Sequence, residues 1–95
     1  MFINKTENGS NNLCGINVKR IRKGMHISQR QLADKLQIIG LDIDKNAIQR
    51  IEAGKRFVTD IELKKLSLAL NTDICSLLEE ELDCTELHIS TLKTL

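Results

Sequence analysis

The chain has no proline, tryptophan or tyrosine, and Phe2 and Phe57 are its only aromatic residues. Without proline, no position lacks a backbone N–H or collides with the turn before it, so helix is open over long stretches. Without aromatics the core has to be aliphatic, and Leu and Ile supply it. No apolar run approaches the ~20 residues that a membrane-spanning helix needs, so no membrane association is expected. The opening residues Met1-Phe2-Ile3-Asn4-Lys5 and the polar stretch after them hold no apolar segment of signal-peptide length, so export is not expected either. Cys14, Cys75 and Cys84 are an odd number at wide spacing. A secreted disulfide framework uses an even set, so these read as reduced thiols of a cytoplasmic protein, packed as small buried hydrophobes.

Chemistry-bearing motifs are equally scarce. Cys84 and His88 are four apart and Cys75 lies nine before Cys84, but there is no Cys-x-x-Cys pair and His26 is remote. A structural zinc wants four ligands at compact spacing, so no metal and no cofactor are expected. No glycine-rich phosphate loop, nucleophile elbow or His-Glu zinc pair appears, and the sequence does not read as an enzyme.

What is present is a 95-residue chain, 41% hydrophobic and 28% charged, which is room for one domain with one modest core. Its net charge of +1 hides a division along the chain. Residues 16–65 carry twelve Lys/Arg against six Asp/Glu, whereas residues 66–95 carry Lys93 against six acids. A basic front and an acidic back suit a polyanion on one side and a different task on the other.

Periodicity orders the front into helices. Cys14, Val18, Ile21 and Met25 form one apolar face, with Gly24 placed to close the helix in a left-handed turn. Ser28-Gln29-Arg30-Gln31 has the form of a capping box, and Leu32, Leu36 and Ile39 follow as a stripe over about 29–39 until Gly40. Asp42 or Asp44 can cap a third helix; Asp44 is favoured because Ile48 and Ile51 follow at helical spacing, and Gly54 ends it. Asp60 is placed as cap of a fourth helix burying Ile61, Leu63, Leu66, Ala69 and Leu70. Asp73 caps a fifth, which carries Ile74, Leu77, Leu78 and Leu82. The expected fold is all-α, a five-helix globule with a short C-terminal extension. Residues 1–11 read as a flexible N-terminus, 12–80 as the domain and 81–95 as the extension. Leu87, Ile89 and Thr91 alternate as in a strand, while Leu92 and Leu95 also fit a helical stripe, and the pattern leaves both open.

The third helix carries the sharpest constellation. Lys45, Asn46, Gln49 and Arg50 are long hydrogen-bonding side chains on the face away from Ile48 and Ile51. A helix that enters the DNA major groove needs such residues, Asn for adenine and Lys or Arg for guanine. Alone, the pattern is also that of a solvated helix face. Ile27-Ser28-Gln29-Arg30-Gln31-Leu32-Ala33 resembles the "LSQ-x-x-LA" opening of the second helix in Cro/repressor-type (XRE) domains. Ala47-Ile48-Gln49-Arg50-Ile51-Glu52-Ala53-Gly54-Lys55-Arg56 resembles the end of their recognition helix, and Leu66 to Leu78 resembles their two closing helices. The resemblance covers about residues 13–80, and in this order the pieces form a specific signal.

The resemblance implies a lambda-repressor-like helix-turn-helix domain that binds double-stranded DNA as a homodimer and regulates transcription, as a repressor above all. Base contacts then fall to Lys45, Asn46, Gln49 and Arg50, and phosphate contacts to Gln29, Arg30, Lys55 and Arg56. Arg22 and Glu52 stand where relatives tie the first helix to the end of the recognition helix, and are expected to be a scaffold ion pair. Lys19, Arg20 and Lys23 read equally as phosphate contacts or as plain surface. One departure from the pattern stands out: Ala33 and Glu52 are nineteen residues apart against fourteen in the commonest form. The extra residues fall in Gln37–Ile43, apolar enough to be packed, in the manner of a subgroup with a lengthened turn. A second reading makes the chain a protein-interaction module, an antitoxin or anti-repressor partner. It would use the acidic extension with Leu82, Leu87, Ile89, Leu92 and Leu95, which otherwise could pack across a dimer axis or cover the domain's own core.

Overall fold

A computed structural model describes residues 5, 6 and 9–79 of the chain. It holds five helices, α1 (Gly15–Gly24), α2 (Gln29–Ile38), α3 (Lys45–Glu52), α4 (Asp60–Ala69) and α5 (Ile74–Leu78), with no strand among the described residues. The all-α five-helix expectation is met. Residues 81–95, and with them the expectations on Leu82, Cys84, His88 and the strand-or-helix question, lie outside the described residues.

The core is aliphatic, as the want of aromatics requires. Val18, Leu32, Leu36, Ile48, Ile51, Leu66 and Leu77 are all fully buried, drawn from every one of the five helices. α3 packs on both α1 and α2, α4 on α2, and α5 on α1 and α4. Three of the four expected caps sit where the sequence puts them. Ser28 and Gln31 close a reciprocal capping box on α2, Asp44 accepts from the Ala47 N–H and Asp73 from the Ser76 N–H. The fourth moves by one residue: Thr59 caps α4 in a second reciprocal box with Glu62, and Asp60 is the first helical residue. Asp60 then contributes as an acid in the first turn, facing the positive end of the helix dipole.

Four helices end alike. A residue with positive φ follows the last turn, and the next N–H reaches five residues back: Ile27 to Arg22, Leu41 to Leu36, Lys55 to Arg50 and Thr72 to Ser67. Gly40 and Gly54 fill the left-handed position in two of these, but His26 (φ 60°) and Asn71 (φ 52°) fill it in the others. Gly24, expected to close α1, is therefore its last helical residue, and His26 makes the turn two positions later. Asn and His tolerate this conformation better than most side chains, so the stop signal is present but less visible than glycine.

Three apolar residues expected inside are not. Ile61 is 67% exposed because Leu66 and Leu70 set the inward stripe of α4, and Ile61 stands with Leu68 on the opposite side. Ile74 and Leu78 flank the buried Leu77 at the edges of α5 and stay substantially exposed. Of the thiols, Cys14 is buried as expected, and burial pushes its pKa up to about 11. Cys75 is exposed, because it faces away from Leu77 on that short helix.

Candidate nucleic-acid interface

The recognition segment begins with its anchor. Ile48 and Ile51 bury one face of α3, and the Glu52 carboxylate, three residues after Gln49, turns into the protein with them. Arg22 of α1 meets it in a two-pronged contact, Nε to Oε2 at 2.6 Å and Nη2 to Oε1 at 3.0 Å, while Nη1 donates to the Ile27 carbonyl. The side chains are 9% and 3% exposed, so the expected scaffold pair is present and buried. Gln29 Nε2 also donates to Glu52 Oε1 at 3.0 Å. The start of α2 is thereby fixed to the end of α3, and the two elements cannot rotate independently without loosening a charge-assisted network.

With one face buried, the remaining side chains of α3 stand outward. Lys45, Asn46, Gln49 and Arg50 are all exposed. Lys45 and Asn46 border a shallow open cleft of about 340 Å³ between α2 and α3, completed by Arg30, Ala33, Asp34, Gln37 and Asp44. The structure thus brings Arg30 alongside two of the base-reading candidates at one end of α3. At the N-terminus of α2 the first amides, those of Gln29 and Arg30, have no acceptor within the helix and form the usual setting for an anion.

At the other end of α3 the two cations behave differently. Lys55 is exposed, whereas the Arg56 guanidinium forks onto the Glu62 carboxylate, Nη1 to Oε1 at 3.0 Å and Nη2 to Oε2 at 2.8 Å. That bidentate bond raises the Arg56 pKa and, with the Thr59 contacts, holds the Glu62 carboxyl below the usual carboxylate range. Of the four phosphate candidates Arg56 is the one whose charge already has a partner, and Gln29 the one whose amide does.

The lengthened turn, Ile39–Asp44, is packed and pinned. Ile43 is buried, Ile39 and Leu41 pack against the core, Gln37 Nε2 donates to the Ile43 carbonyl and Lys65 Nζ to the Ile39 carbonyl. Ile38, 84% exposed, is the one apolar residue of the run left outside. Sequence reasoning missed two kinds of residue here. Gln37 is legible only once the turn is seen folding back over it. Asn11, read as part of a flexible N-terminus, and Asn12, given no role, are bound to the end of α3 and the loop after it; two adjacent amides just ahead of a helix were the available hint.

A family model described as helix-turn-helix matches residues 18–77. Among solved structures, the restriction-modification controller protein C.AhdI from Aeromonas hydrophila is 25% identical, with a TM-score of 0.59 over 66% of this chain and 84% of its own. A hypothetical transcription factor from Neisseria, NHTF, is 18% identical with a TM-score of 0.66, over 95% of this chain and 90% of its own, and at that identity it speaks to fold alone. No curated protein matches the sequence. Among the described residues there is no helix long and apolar enough to cross a membrane and no cluster of side chains that would hold a metal ion.

Proposed function

The chain belongs to the helix-turn-helix family, in its Cro/repressor (XRE) branch, and from that premise we propose that it is a repressor that reads a two-fold DNA site as a homodimer. Its membership makes it a DNA-binding regulator of transcription; the repressor sign, the dimer and the contacting residues are the proposal. One observation carries it. α3 buries Ile48 and Ile51 completely and holds Lys45, Asn46, Gln49 and Arg50 outward on a helix whose end is fixed by Glu52. A helix presented in this way fits the major groove, where Asn reads adenine and Lys or Arg reads guanine.

Gln29, Arg30 and Lys55 are assigned to phosphates on either side of that groove, and Arg56 joins them when Glu62 releases it. Such contacts set register and carry no sequence information. Residues 12–80 are assigned to DNA binding and 81–95 to dimerisation, since Ile74 and Leu78 leave apolar surface on α5, the last helix among the described residues. The protein is placed in the cytoplasm and given no catalytic role.

Selection from a random duplex pool at near-physiological salt, with Arg50→Ala beside the wild type, tests the reading. Enrichment of a palindrome with half-sites about one helical turn apart, absent for the variant, is the expected result. A well-folded wild type that enriches nothing sinks it and turns attention to a protein partner at residues 81–95.

A further inference from the structure

We propose that Asn12 is a positioning residue for DNA reading, an amide bracket that sets the pose of α3 and of the segment after it against α1. The Asn12 side chain uses all of its hydrogen-bonding capacity except one acceptor site. Nδ2 donates to the Ile51 carbonyl at 3.1 Å and to the Arg56 carbonyl at 2.7 Å, and Oδ1 accepts from the Gly15 N–H at 2.8 Å. One planar group therefore joins the last turn of α3, the loop carrying Lys55 and Arg56, and the first residue of α1.

The backbone around it is built for that joint. A β-carbon at position 15 would overlap the Ile51 carbonyl oxygen, so glycine there allows the start of α1 to lie directly on the end of α3. Asn11 extends the seam: its N–H donates to the Gly54 carbonyl at 2.8 Å and its Nδ2 to the Lys55 carbonyl at 3.0 Å. Its Oδ1 is buried without a partner among the described residues, so Asn12 is the better satisfied of the two. Helix ends leave carbonyls with no intrahelical donor, and here a side chain from outside the family-matched span supplies donors to one of them and to the loop beyond.

The consequence is geometric. Arg22, in the last turn of α1, fixes Glu52, and Asn12, just ahead of the first turn of α1, fixes the neighbouring Ile51 carbonyl. Two restraints from opposite ends of α1 define the angle of α3, where one would leave a pivot. Asn12 touches no DNA in this scheme; it acts through the placement of Arg50 and Lys55.

The inference rests on the DNA-reading assignment, and the test separates the two. The full chain is compared as wild type, Asn12→Asp and Asn12→Ser, each titrated with its selected duplex and with an unrelated duplex. The readout is the ratio of the two affinities, because partial unfolding lowers both by the same factor and leaves the ratio alone. Aspartate keeps the oxygen that accepts from Gly15, so a role confined to starting α1 predicts no loss with Asn12→Asp. A bracket predicts that Asn12→Asp, without donors and with a carboxylate facing two carbonyls, lowers the ratio about tenfold, the worth of one misplaced bidentate base contact. Asn12→Ser, neutral and short, falls between. A ratio within about twofold of wild type in both variants overturns the positioning role while the DNA reading stands. A wild type with no preference between the two duplexes overturns the reading and the bracket together.

Discussion

The two ends of α3 are built differently. Its C-terminal end is held from three sides: Arg22 and Gln29 grip Glu52, Asn12 grips the Ile51 carbonyl, and Gly15 lets α1 approach as close as backbone contact. Its N-terminal end has its own Asp44 cap and, one residue earlier, the Gln37 bond to the Ile43 carbonyl. The helix is clamped at its C-terminal end and comparatively free where Lys45 and Asn46 stand. Stability and recognition are thereby put in different residues, so substitutions in the Arg22–Glu52 clamp should change folding and substitutions on the outward face DNA choice.

Breaking the clamped end should have the largest effect. Arg22→Ala strands the Glu52 carboxylate in a site where it is almost fully covered, and removing one partner of such a pair costs about 3–5 kcal/mol. For a domain of this size each kcal/mol is worth roughly 4–8 °C in melting temperature, so calorimetry should find the variant largely or wholly unfolded at 37 °C. A melting temperature within a few degrees of wild type would mean that the pair contributes little.

The outward face should give the opposite result. Arg50→Ala and Asn46→Ala remove exposed side chains that make no hydrogen bond or ion pair among the described residues, so their melting temperatures should stay near wild type. Against the selected site each should cost about 1–3 kcal/mol and relax preference at one base position. If Arg50→Ala weakened every duplex equally, it would be a phosphate contact and the division between the two faces of α3 would need redrawing.

The same comparison explains what could be read in advance. The inward face was legible, because Ile48 and Ile51 repeat a pattern set by packing, and the Arg22–Glu52 pair followed from the resemblance to the family. The caps were legible where Ser or Asp stood at the start of an apolar stripe. Thr59 was passed over only because Asp60 beside it is as good a cap in isolation. The stops at His26 and Asn71 were harder to see, since Asn and His take the left-handed conformation more readily than most side chains but mark it far less distinctively than glycine. Long-range polar bonds were hidden as well. Nothing in the spacing of Asn12, Gln37 or Glu62 says which carbonyl or guanidinium folding will bring to them, because those partners sit on other elements.

Sharpening the unclamped end takes a gentler cut. Gln37→Ala removes the side-chain bond to the Ile43 carbonyl in the lengthened turn, where a net hydrogen bond is worth about 0.5–1.5 kcal/mol. Since Gln37 also borders the cleft beside Lys45 and Asn46, amide exchange should quicken over residues 41–47 and stay unchanged at Ile51 and Glu52. Uniform quickening along α3 would show that the two ends are not independent.

The smallest effect concerns the loop beyond the clamp, where Lys55 is exposed and Arg56 is forked onto Glu62. Lys55→Ala should weaken binding to all sequences alike and reduce the salt slope by about one. Arg56→Ala should change that slope less, because its charge is already partly neutralised. Glu62→Gln is the sharper variant. Glutamine still serves the reciprocal box with Thr59, so α4 keeps its start. What is lost is a partly exposed ion pair, worth about 0.2–1 kcal/mol of stability. The sign with pH follows from the lowered Glu62 pKa: that stability is present above the unfolded carboxylate value and lost as pH falls through the folded one. The variant should therefore lose less stability than wild type on acidification. At neutral pH its Arg56 is released towards the surface that Lys55 already occupies, so affinity should rise slightly for every duplex, with a salt slope steeper by up to about one. An unchanged slope would remove Arg56 from the phosphate contacts and leave it as the tie between the α3 loop and α4.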